Sequence, residues 1–363
     1  MLDGNTQAVV RSLTHDDHQA EALLRALVAV PSPSHHEAAA ARLLVDWMAA
    51  QGYDEAFVDA AGNAVGIRGS RSAARTIVLL GHLDTFDGDL PVRIDGRVLY
   101  GRGAVDAKGP LAAFAVAGAR AALPIDLRLV VIGAVEEEAR SSRGARFAAT
   151  QYRPDLCLIG EPSGWDRITL GYKGRLLLHW RWHGPLAHSA GPLVSPAERA
   201  VAYWLGVRAY ADAFNEGRAR LFDRLDAALL DLNTGQEGAY GWARMTIGLR
   251  LPPSVEPEAL AAALPPLDDA VVTADSMERA FLAEKDSALS RALRSAIRAE
   301  GGAPAFVCKT GTSDMNVVGP IWSCPIAAYG PGDSALDHTP EERIDLDEYL
   351  RAIRVLTRAL ERL

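Results

Sequence analysis

The sequence predicts an α/β domain into which a smaller α+β domain is inserted. A chain of 363 residues suggests two domains at roughly 150 residues each. Apolar runs of strand length alternate with helical segments up to about residue 171, and this pattern returns after about residue 276. Between these segments the predicted strands alternate apolar and polar side chains instead. We therefore expect a discontinuous catalytic domain at 1–171 and 276–363, with the inserted domain at 172–275.

The first part of the chain carries the elements of a sheet covered by helices. Pro31-Ser-Pro-Ser34 is a helix-start signal, and it predicts a helix over 35–51 that ends at Gly52. Turn signals at 61–63 and at Asp95-Gly96 each indicate a tight turn. The remaining predicted elements are a strand at 76–85, a helix at 111–123, a strand at 127–135, a helix at 144–152 and a strand at 155–162. Buried strands alternating with helices indicate a sheet with both faces covered.

The pattern of the later segments supports an insertion. The predicted elements of the insert are a strand at 175–184, a helix at 196–214, a strand at 243–251 and a helix at 255–264. A small sheet of this kind leaves an exposed edge, which invites pairing with another chain. The α/β pattern then resumes with a helix at 287–301, a strand at 324–330 and a helix at 346–363.

Composition narrows the classes of function. The chain has 38 Lys and Arg against 46 Asp and Glu, a net charge of −8 that disfavours nucleic acid and anionic membranes as partners. We find no apolar run near the ~18 residues of a membrane span and no signal-peptide pattern, so we expect a cytoplasmic protein. Cys157, Cys308 and Cys324 show no CxxC spacing, and we interpret them as small buried apolar residues.

Five potential metal ligands stand at the ends of predicted strands or in the loops that follow them. They are His82 in His82-Leu-Asp84, Asp106 in a glycine-rich loop, one glutamate of the run Glu136-Glu137-Glu138, Glu161 and His338. Each alone has a plainer explanation, as a turn residue, an acid at a helix start or a loop histidine. Together, two imidazoles and several carboxylates suit zinc or a similar divalent ion, and Asp106 could bridge two ions.

At this point the sequence resembles a known family of dinuclear-zinc hydrolases. The family includes aminoacylases, acetylornithine deacetylase, succinyl-diaminopimelate desuccinylase and glutamate carboxypeptidases. The matching segments, in family order, are GHLDT (81–85), GRGAVDAKG (101–109), VEEE (135–138), GEPS (160–163), HSAGP (188–192) and DHTPEE (337–342). The resemblance implies a zinc-peptidase-like mixed sheet flanked by helices, with the insert serving as a dimerisation (lid) domain of a homodimer.

The resemblance also implies a role for each matching residue. His82, Asp106 and Glu161 would hold one Zn²⁺, and Glu137, Asp106 and His338 the other, with Co²⁺ able to substitute. Asp84 would orient His82, and Glu136 would be the general base. A cis peptide bond would follow Asp106.

The acidic run departs from the family pattern, which usually reads Asp-Glu-Glu. Here Val135 precedes three glutamates, and we align Glu136-Glu137 with the family pair because Val135 closes the strand. A shift of one residue would instead make Glu137 the base and Glu138 the ligand.

Three more residues match family positions that act on the substrate. His188 resembles the inserted-domain histidine that reaches the other subunit's site and donates a hydrogen bond to the oxyanion. Arg250 matches a position that grips a substrate carboxylate, although it could simply extend from a strand. Thr312 lies in a Gly-Thr-Ser-Asp loop like that of the family.

Within the family, GRGAVDAKGP and KTGTSDMNVV look most like the hydrolases that release lysine or ornithine from a small acidic amino-group carrier protein in lysine and arginine biosynthesis. Arg140, Arg143, Arg146 and Arg153 could offer that carrier a basic face, or could belong to an ordinary charged helix. The alternatives are a deacylase of free N-acyl amino acids, a dipeptidase, a non-catalytic metal-binding protein and a nucleotide-binding α/β protein. The last lacks a proper G-x-G-x-x-G or P-loop.

Overall fold

The computed structural model describes residues 13–186, 193–264 and 269–363. Its helices are α1 (His15–Ala29), α2 (Ala38–Ala50), α3 (Lys108–Arg120), α4 (Arg143–Gln151), α5 (Pro196–Asn215), α6 (Pro257–Ala263), α7 (Ala288–Ala299), α8 (Asp314–Trp322) and α9 (Leu346–Leu360). Its strands are β1 (Glu55–Val58), β2 (Ala64–Arg68), β3 (Arg75–His82), β4 (Arg93–Asp95), β5 (Val98–Tyr100), β6 (Leu127–Ala134), β7 (Leu156–Gly160), β8 (Arg167–Tyr172), β9 (Gly174–Pro185), β10 (Asp226–Glu237), β11 (Tyr240–Leu251), β12 (Val271–Glu278), β13 (Phe281–Leu282), β14 (Ala305–Lys309), β15 (Ile326–Ala328) and β16 (Arg343–Asp345).

A large mixed sheet forms the centre of the molecule. Its strand order is β1-β2-β6-β3-β7-β15-β8-β13, and β14 pairs with β8 outside this path. Strands β6, β3, β7 and β15 run parallel to one another, whereas β2 is antiparallel to β6 and β8 is antiparallel to β15. The carboxyl ends of β6, β3 and β7 therefore meet at one edge of the sheet, where open α/β sheets place their sites.

Helices cover both faces of this sheet. Alternate residues of a strand point to opposite faces, so Ile77 and Leu79 of β3 join a core built with α1, α2, α3, α7 and α9. Val78 and Leu80 join a second core with α4 and α8. Burial on both faces explains why these strands are continuous apolar runs in the sequence.

A separate four-stranded antiparallel sheet has the order β10-β11-β9-β12. Helices α5 and α6 pack on one face around their own core, which includes Trp180, Tyr203 and Ile247. On the other face, Arg175 of β9 lies opposite Arg250 of β11. The strands of this sheet span 174–278, while the domain bounds 172–275 stay a prediction.

The structure confirms the predicted fold class, a mixed α/β sheet flanked by helices. The turn at 61–63 joins β1 to β2, and Asp95-Gly96 joins β4 to β5. Strands β10 and β12 were not predicted, because their sequences mix apolar residues with polar and turn-forming ones and show no clean alternation.

Two further sequence expectations concern cysteines and membranes. Cys157 is buried as expected, whereas Cys308 and Cys324 are only half-buried, and all three are free thiols. Across the ranges that the structure describes, no helix has both the length and the apolar character needed to cross a bilayer.

Candidate metal centre

Strand register brings the candidate ligands to one edge of the large sheet. Gly81 of β3 lies opposite Gly133 of β6 and Gly160 of β7. The residues that follow those positions, His82 and Glu161, are therefore neighbours. The acidic run begins two residues after β6 ends, at the same edge. A parallel sheet thus gathers side chains that are far apart in sequence.

The first ligand cluster consists of His82, Asp106 and Glu161. One potential ligand atom from each lies within 4.8 Å of the others. His82 Nε2 is 3.3 Å from Asp106 Oδ1. His82 and Glu161 are buried, and Asp106 is half-buried at the wall of a cavity.

The second ligand cluster consists of Asp106, Glu138 and His338. Its ligand atoms also lie within 4.8 Å of one another. His338 Nε2 is 3.0 Å from Asp106 Oδ2 and 2.7 Å from Glu138 Oε1. Asp106 therefore belongs to both clusters, offering one oxygen to each, which is the arrangement of a carboxylate that bridges two cations.

The three consecutive glutamates point in different directions. Glu136 has a left-handed backbone, with φ of 60°. Its carboxylate lies 2.8 Å from Arg143 Nε and 3.2 Å from His35 Nδ1, and it accepts a hydrogen bond from Ser141. Glu137 and Glu138 line the cavity, and Glu136 is not among the lining residues.

The geometry favours the shifted register described above. Glu138, rather than Glu137, completes the cluster with Asp106 and His338. Glu136, the residue first aligned with the general base, has its carboxylate occupied by Arg143 and His35. A family-pattern alignment could not reveal this, because the left-handed residue breaks the alternation of side chains that follows a strand.

Electrostatics at the site favour a cation. Burial raises the pKa of Glu137 well above its usual value, and the nearby carboxylate of Glu161 raises it further, against the opposing effect of His82. Burial likewise raises the pKa of Glu138 and of Glu161. Hydrogen bonds to Asp106 and Glu138 raise the pKa of His338 to about 10. A cleft with this many desolvated carboxylates is a fit for a divalent ion, which would compensate their repulsion.

Asp84 contacts both His82 and the acidic run. His82 Nδ1 lies 2.8 Å from the backbone oxygen of Asp84 and 3.6 Å from its carboxylate. The carboxylate accepts hydrogen bonds from the backbone N–H groups of Glu137 and Glu138 and from the Ser34 hydroxyl. Asp84 therefore contacts His82 mainly through its backbone oxygen. Its carboxylate instead binds the backbone of Glu137 and Glu138.

Two supporting residues were missed by the sequence analysis. Glu342 is 1% exposed, and its Oε1 accepts hydrogen bonds from the backbone N–H groups of Val105 and Asp106. Phe86 stacks on the ring of His338, with centroids 4.5 Å apart. Glu342 lies in the matched segment 337–342, which was the available signal, whereas nothing in the sequence marked Phe86. The Asp106–Ala107 peptide bond is cis, as the resemblance implies.

The predicted substrate-binding residues line the same cavity as the ligands. This cavity has a volume of about 260 Å³. Arg250 Nη1 donates to Thr312 Oγ1 at 2.8 Å, and that hydroxyl donates to the backbone oxygen of Lys173. His188 lies outside the described residues, so its role stays a prediction.

The arginines considered for carrier docking have partners within the chain. Arg140 pairs with Asp275, Arg143 with Glu136, and Arg146 with Glu278, while Arg153 donates to backbone oxygens near the end of α4. These contacts favour the interpretation of an ordinary charged segment. Two of the ion pairs connect it to β12.

Sequence comparison identifies close relatives. Residues 78–362 match peptidase family M20/M25/M40. The chain is 52% identical over 361 residues to a [LysW]-lysine hydrolase of Deinococcus radiodurans, and this match covers 96% of the chain and 98% of the relative. It is 26% identical over 306 residues to a [LysW]-lysine/[LysW]-ornithine hydrolase of Saccharolobus islandicus, covering 79% of the chain and 81% of that relative.

Solved structures share the fold. A tripeptidase of Staphylococcus aureus has a TM-score of 0.76 at 16% identity, covering 95% of this chain and 98% of that one. An M20 family metallo-carboxypeptidase of Sulfolobus solfataricus has a TM-score of 0.73 at 16% identity, covering 96% and 99%. A dinuclear metal binding peptidase of Bacillus subtilis has a TM-score of 0.68 at 13% identity, covering 95% and 97%.

The family match covers the strands and loops that carry every candidate ligand, and the resemblance drawn from the motifs is confirmed at the level of the family. The chain belongs to peptidase family M20/M25/M40, whose members are metal-dependent hydrolases.

Proposed function

We propose that this enzyme releases lysine, ornithine or both from the C-terminal glutamate of a small amino-group carrier protein, by hydrolysis of an amide bond. The observation that carries the proposal is the pair of ligand clusters sharing Asp106 beside a cavity that also holds Arg250 and Thr312. The names of the relatives, which are LysW-lysine and LysW-ornithine hydrolases, supply the substrate.

The volume of the cavity supports a substrate of which only one end enters the site. A volume of about 260 Å³ lies just below the ~300–1,000 Å³ typical of small-molecule pockets. Such a space accepts an amino acid and the side chain to which it is linked, and excludes a folded domain. A carrier would therefore remain outside and extend its terminal glutamate inward.

The donor set suits two zinc ions, with cobalt able to replace them. His82, Asp106 and Glu161 would hold one ion, and Asp106, Glu138 and His338 the other. When bound, such ions acidify water and polarise the carbonyl of the amide. Two imidazoles with carboxylate oxygens are ordinary zinc ligands.

Glu137 is the residue that we assign as general base. It lines the cavity that also contains residues of both clusters, and its backbone N–H donates to the Asp84 carboxylate. Its carboxylate would take a proton from the attacking water and pass it to the departing α-amine of lysine. A base with a raised pKa is suited to both transfers near neutral pH.

The remaining roles concern the substrate and the second subunit. Arg250, held by Thr312, would bind a substrate carboxylate. We further infer a homodimer through the four-stranded sheet, whose edge strand β10 pairs with no described strand on its outer side. In such a dimer His188 of one subunit would donate a hydrogen bond to the oxyanion in the other.

The test is a substrate panel with the metal-loaded enzyme. Carrier-linked lysine, carrier-linked ornithine, Nα-acetyl-lysine, Nα-acetyl-ornithine and N-succinyl-diaminopimelate would each be incubated with the enzyme, and the released amine measured. We expect the highest kcat/KM for a carrier-linked substrate. The Glu137→Gln holoenzyme is the matched control for release by traces of other hydrolases. A preference for a free acylated amino acid would make the enzyme a small-molecule deacylase instead.

A further inference from the structure

Arg175 occupies a central position in the wall of the metal-site cavity. It lies on β9, the middle of three strands, opposite Arg250 of β11 on one side and Glu278 of β12 on the other. All three side chains line the same cavity as Glu137 and Glu161. Residues directly opposite each other on antiparallel strands have Cα atoms about 4.5–5.5 Å apart, so the two arginines are immediate neighbours.

Arg175 differs from both neighbours because it has no partner among the residues that the structure describes. Arg250 donates to Thr312, and the carboxylate of Glu278 is engaged by Arg146. Arg175 makes no hydrogen bond or ion pair with any residue that the structure describes, and its Nε is buried without an acceptor. A guanidinium opposite a carboxylate would ordinarily form an ion pair with it. Because Glu278 is paired with Arg146 instead, the N–H donors of Arg175 remain available in the cavity.

Two adjacent guanidinium groups repel each other unless an anion lies between them. Burial lowers the pKa of Arg250, and the charge of Arg175 lowers it further. The carboxylates of Asp106, Glu138 and Glu161 belong to the two ligand clusters, and the carboxylate of Glu278 is paired with Arg146. A planar carboxylate that accepts two parallel N–H bonds is the ligand that guanidinium groups bind best.

We propose that Arg175 is a specificity-determining residue that binds, together with Arg250, the carboxylate of the amino acid to be released. The proposal rests on the proposed function for the identity of that amino acid. It accounts for an arginine placed at the site with unused donors, and it restricts the enzyme to amides whose departing amine carries a free carboxylate.

The experiment measures product binding, which needs no turnover. Lysine and lysinamide would be titrated calorimetrically into the zinc-loaded wild type and the Arg175→Gln variant. Lysinamide keeps both amines and lacks only the carboxylate charge. We expect Arg175→Gln to weaken lysine binding by about 10- to 100-fold, the size of a lost hydrogen bond to a charged group, and to leave lysinamide binding unchanged.

Arg181→Gln is the matched control. Arg181 lies on the same strand and the same face as Arg175, but it is exposed and is not among the residues that line the cavity. This variant should bind lysine like the wild type. Equal loss of lysine and lysinamide binding in Arg175→Gln, or unchanged lysine binding, would overturn the proposal. If Arg175→Gln fails to retain two zinc ions, Arg175→Lys replaces it, with an expected partial loss for lysine alone.

A wider set of ligands separates this inference from the proposed function. Ornithine, glutamate and glycine would be titrated alongside lysine. If lysine and ornithine do not bind but another amino acid does, and Arg175→Gln weakens that binding, the arginine pair stands while the proposed substrate fails. If carrier-linked lysine is hydrolysed and Arg175→Gln binds lysine normally, the proposed function stands and the proposed role of Arg175 fails.

Discussion

The acidic run after β6 shows how strongly local backbone conformation decides the role of a residue. Glu136 and Glu137 are adjacent and identical, yet only Glu137 lines the cavity. Burial acts to raise the pKa of Glu136, but hydrogen bonds from Ser141 and His35 and the charge of Arg143 together lower it. Burial among other carboxylates raises that of Glu137. The two carboxylates are thus suited to different tasks, structural for Glu136 and proton transfer for Glu137.

Replacing each glutamate with glutamine tests this difference. We expect Glu137→Gln to lower kcat by about 10²- to 10⁴-fold, the usual contribution of a general base, with two metal ions retained. Glu136→Gln should keep kcat within about tenfold of the wild type, because among the described residues its carboxylate contacts Arg143, His35 and Ser141 and does not line the cavity. Steady-state kinetics and metal content by elemental analysis provide the two measurements. A larger loss of kcat in Glu136→Gln than in Glu137→Gln would support the first alignment, in which Glu136 is the general base and Glu137 a metal ligand.

Glu342 is a second residue whose effect should reach the metals indirectly. Its carboxylate accepts hydrogen bonds from the backbone of Val105 and Asp106 and from the Arg102 guanidinium. Glu342→Gln keeps the shape but removes the charge and turns one acceptor into a donor. We expect metal affinity to fall by about 10- to 100-fold, as for other groups that orient ligands.

The neighbouring residue supplies the control for that change. Glu341 is exposed, and only its backbone oxygen takes part in a described hydrogen bond. Glu341→Gln should therefore bind zinc like the wild type. Competition with a chelator gives the two affinities, and equal affinities in all three proteins would show that Glu342 does not orient Asp106.

At the scale of elements, the sequence predicted the long parallel strands and the position of the site at their carboxyl ends. Strands β3, β6 and β7 are buried on both faces, and this leaves an unmistakable apolar run. The three-residue strands β5 and β16 could not be predicted, because they are too short to show a pattern. Their pairing joins segments about 245 positions apart and is what carries Glu342 to Asp106.

Helix α8 carries a buried amide that contacts the backbone where the two sheets meet. Asn316 is 3% exposed, and its Nδ2 lies within hydrogen-bonding distance of the backbone oxygens of Tyr172, Lys173 and Arg279. Its Oδ1 accepts from the backbone N–H of Ser313 at the start of the helix. Because β8 ends and β9 begins at 172–174, this residue ties the helix to the junction of the two sheets.

Removing that amide should destabilise the protein. We expect Asn316→Ala to lower the free energy of unfolding by about 2–4 kcal/mol, since several hydrogen bonds between a buried amide and the backbone are lost. Gln151→Ala is the control, because its amide is exposed and its one hydrogen bond within the described part of the chain is to Thr150. Urea unfolding followed by circular dichroism measures both. A change below about 1 kcal/mol in Asn316→Ala would mean that other contacts hold the junction.

At the scale of the whole molecule, the sequence indicated an inserted unit with an exposed edge, and the structure shows a second sheet with its own core. No motif in the sequence could indicate which edge strand of this four-stranded sheet would pair with another chain. Strand β10 is the outer strand next to α5, and Leu230, Leu232, Val201 and Leu205 on these two elements are exposed. Two apolar pairs beside an unpaired edge form a surface that a second copy of the chain could cover.

This surface leads to a prediction about assembly. If two copies pair β10 edge to edge and bury α5, a charge in the middle of the apolar surface should separate them, because an unpaired carboxylate would be buried at the interface. We expect the wild type to sediment as a dimer, and Leu205→Asp and Leu232→Asp to sediment as monomers that still bind zinc. Ile125→Asp is the control, because Ile125 is 99% exposed in the turn before β6 and should not change the assembly. Sedimentation equilibrium decides between these states. A monomeric wild type would remove the route by which His188 reaches a neighbouring site, and dimeric variants would place the interface on another face.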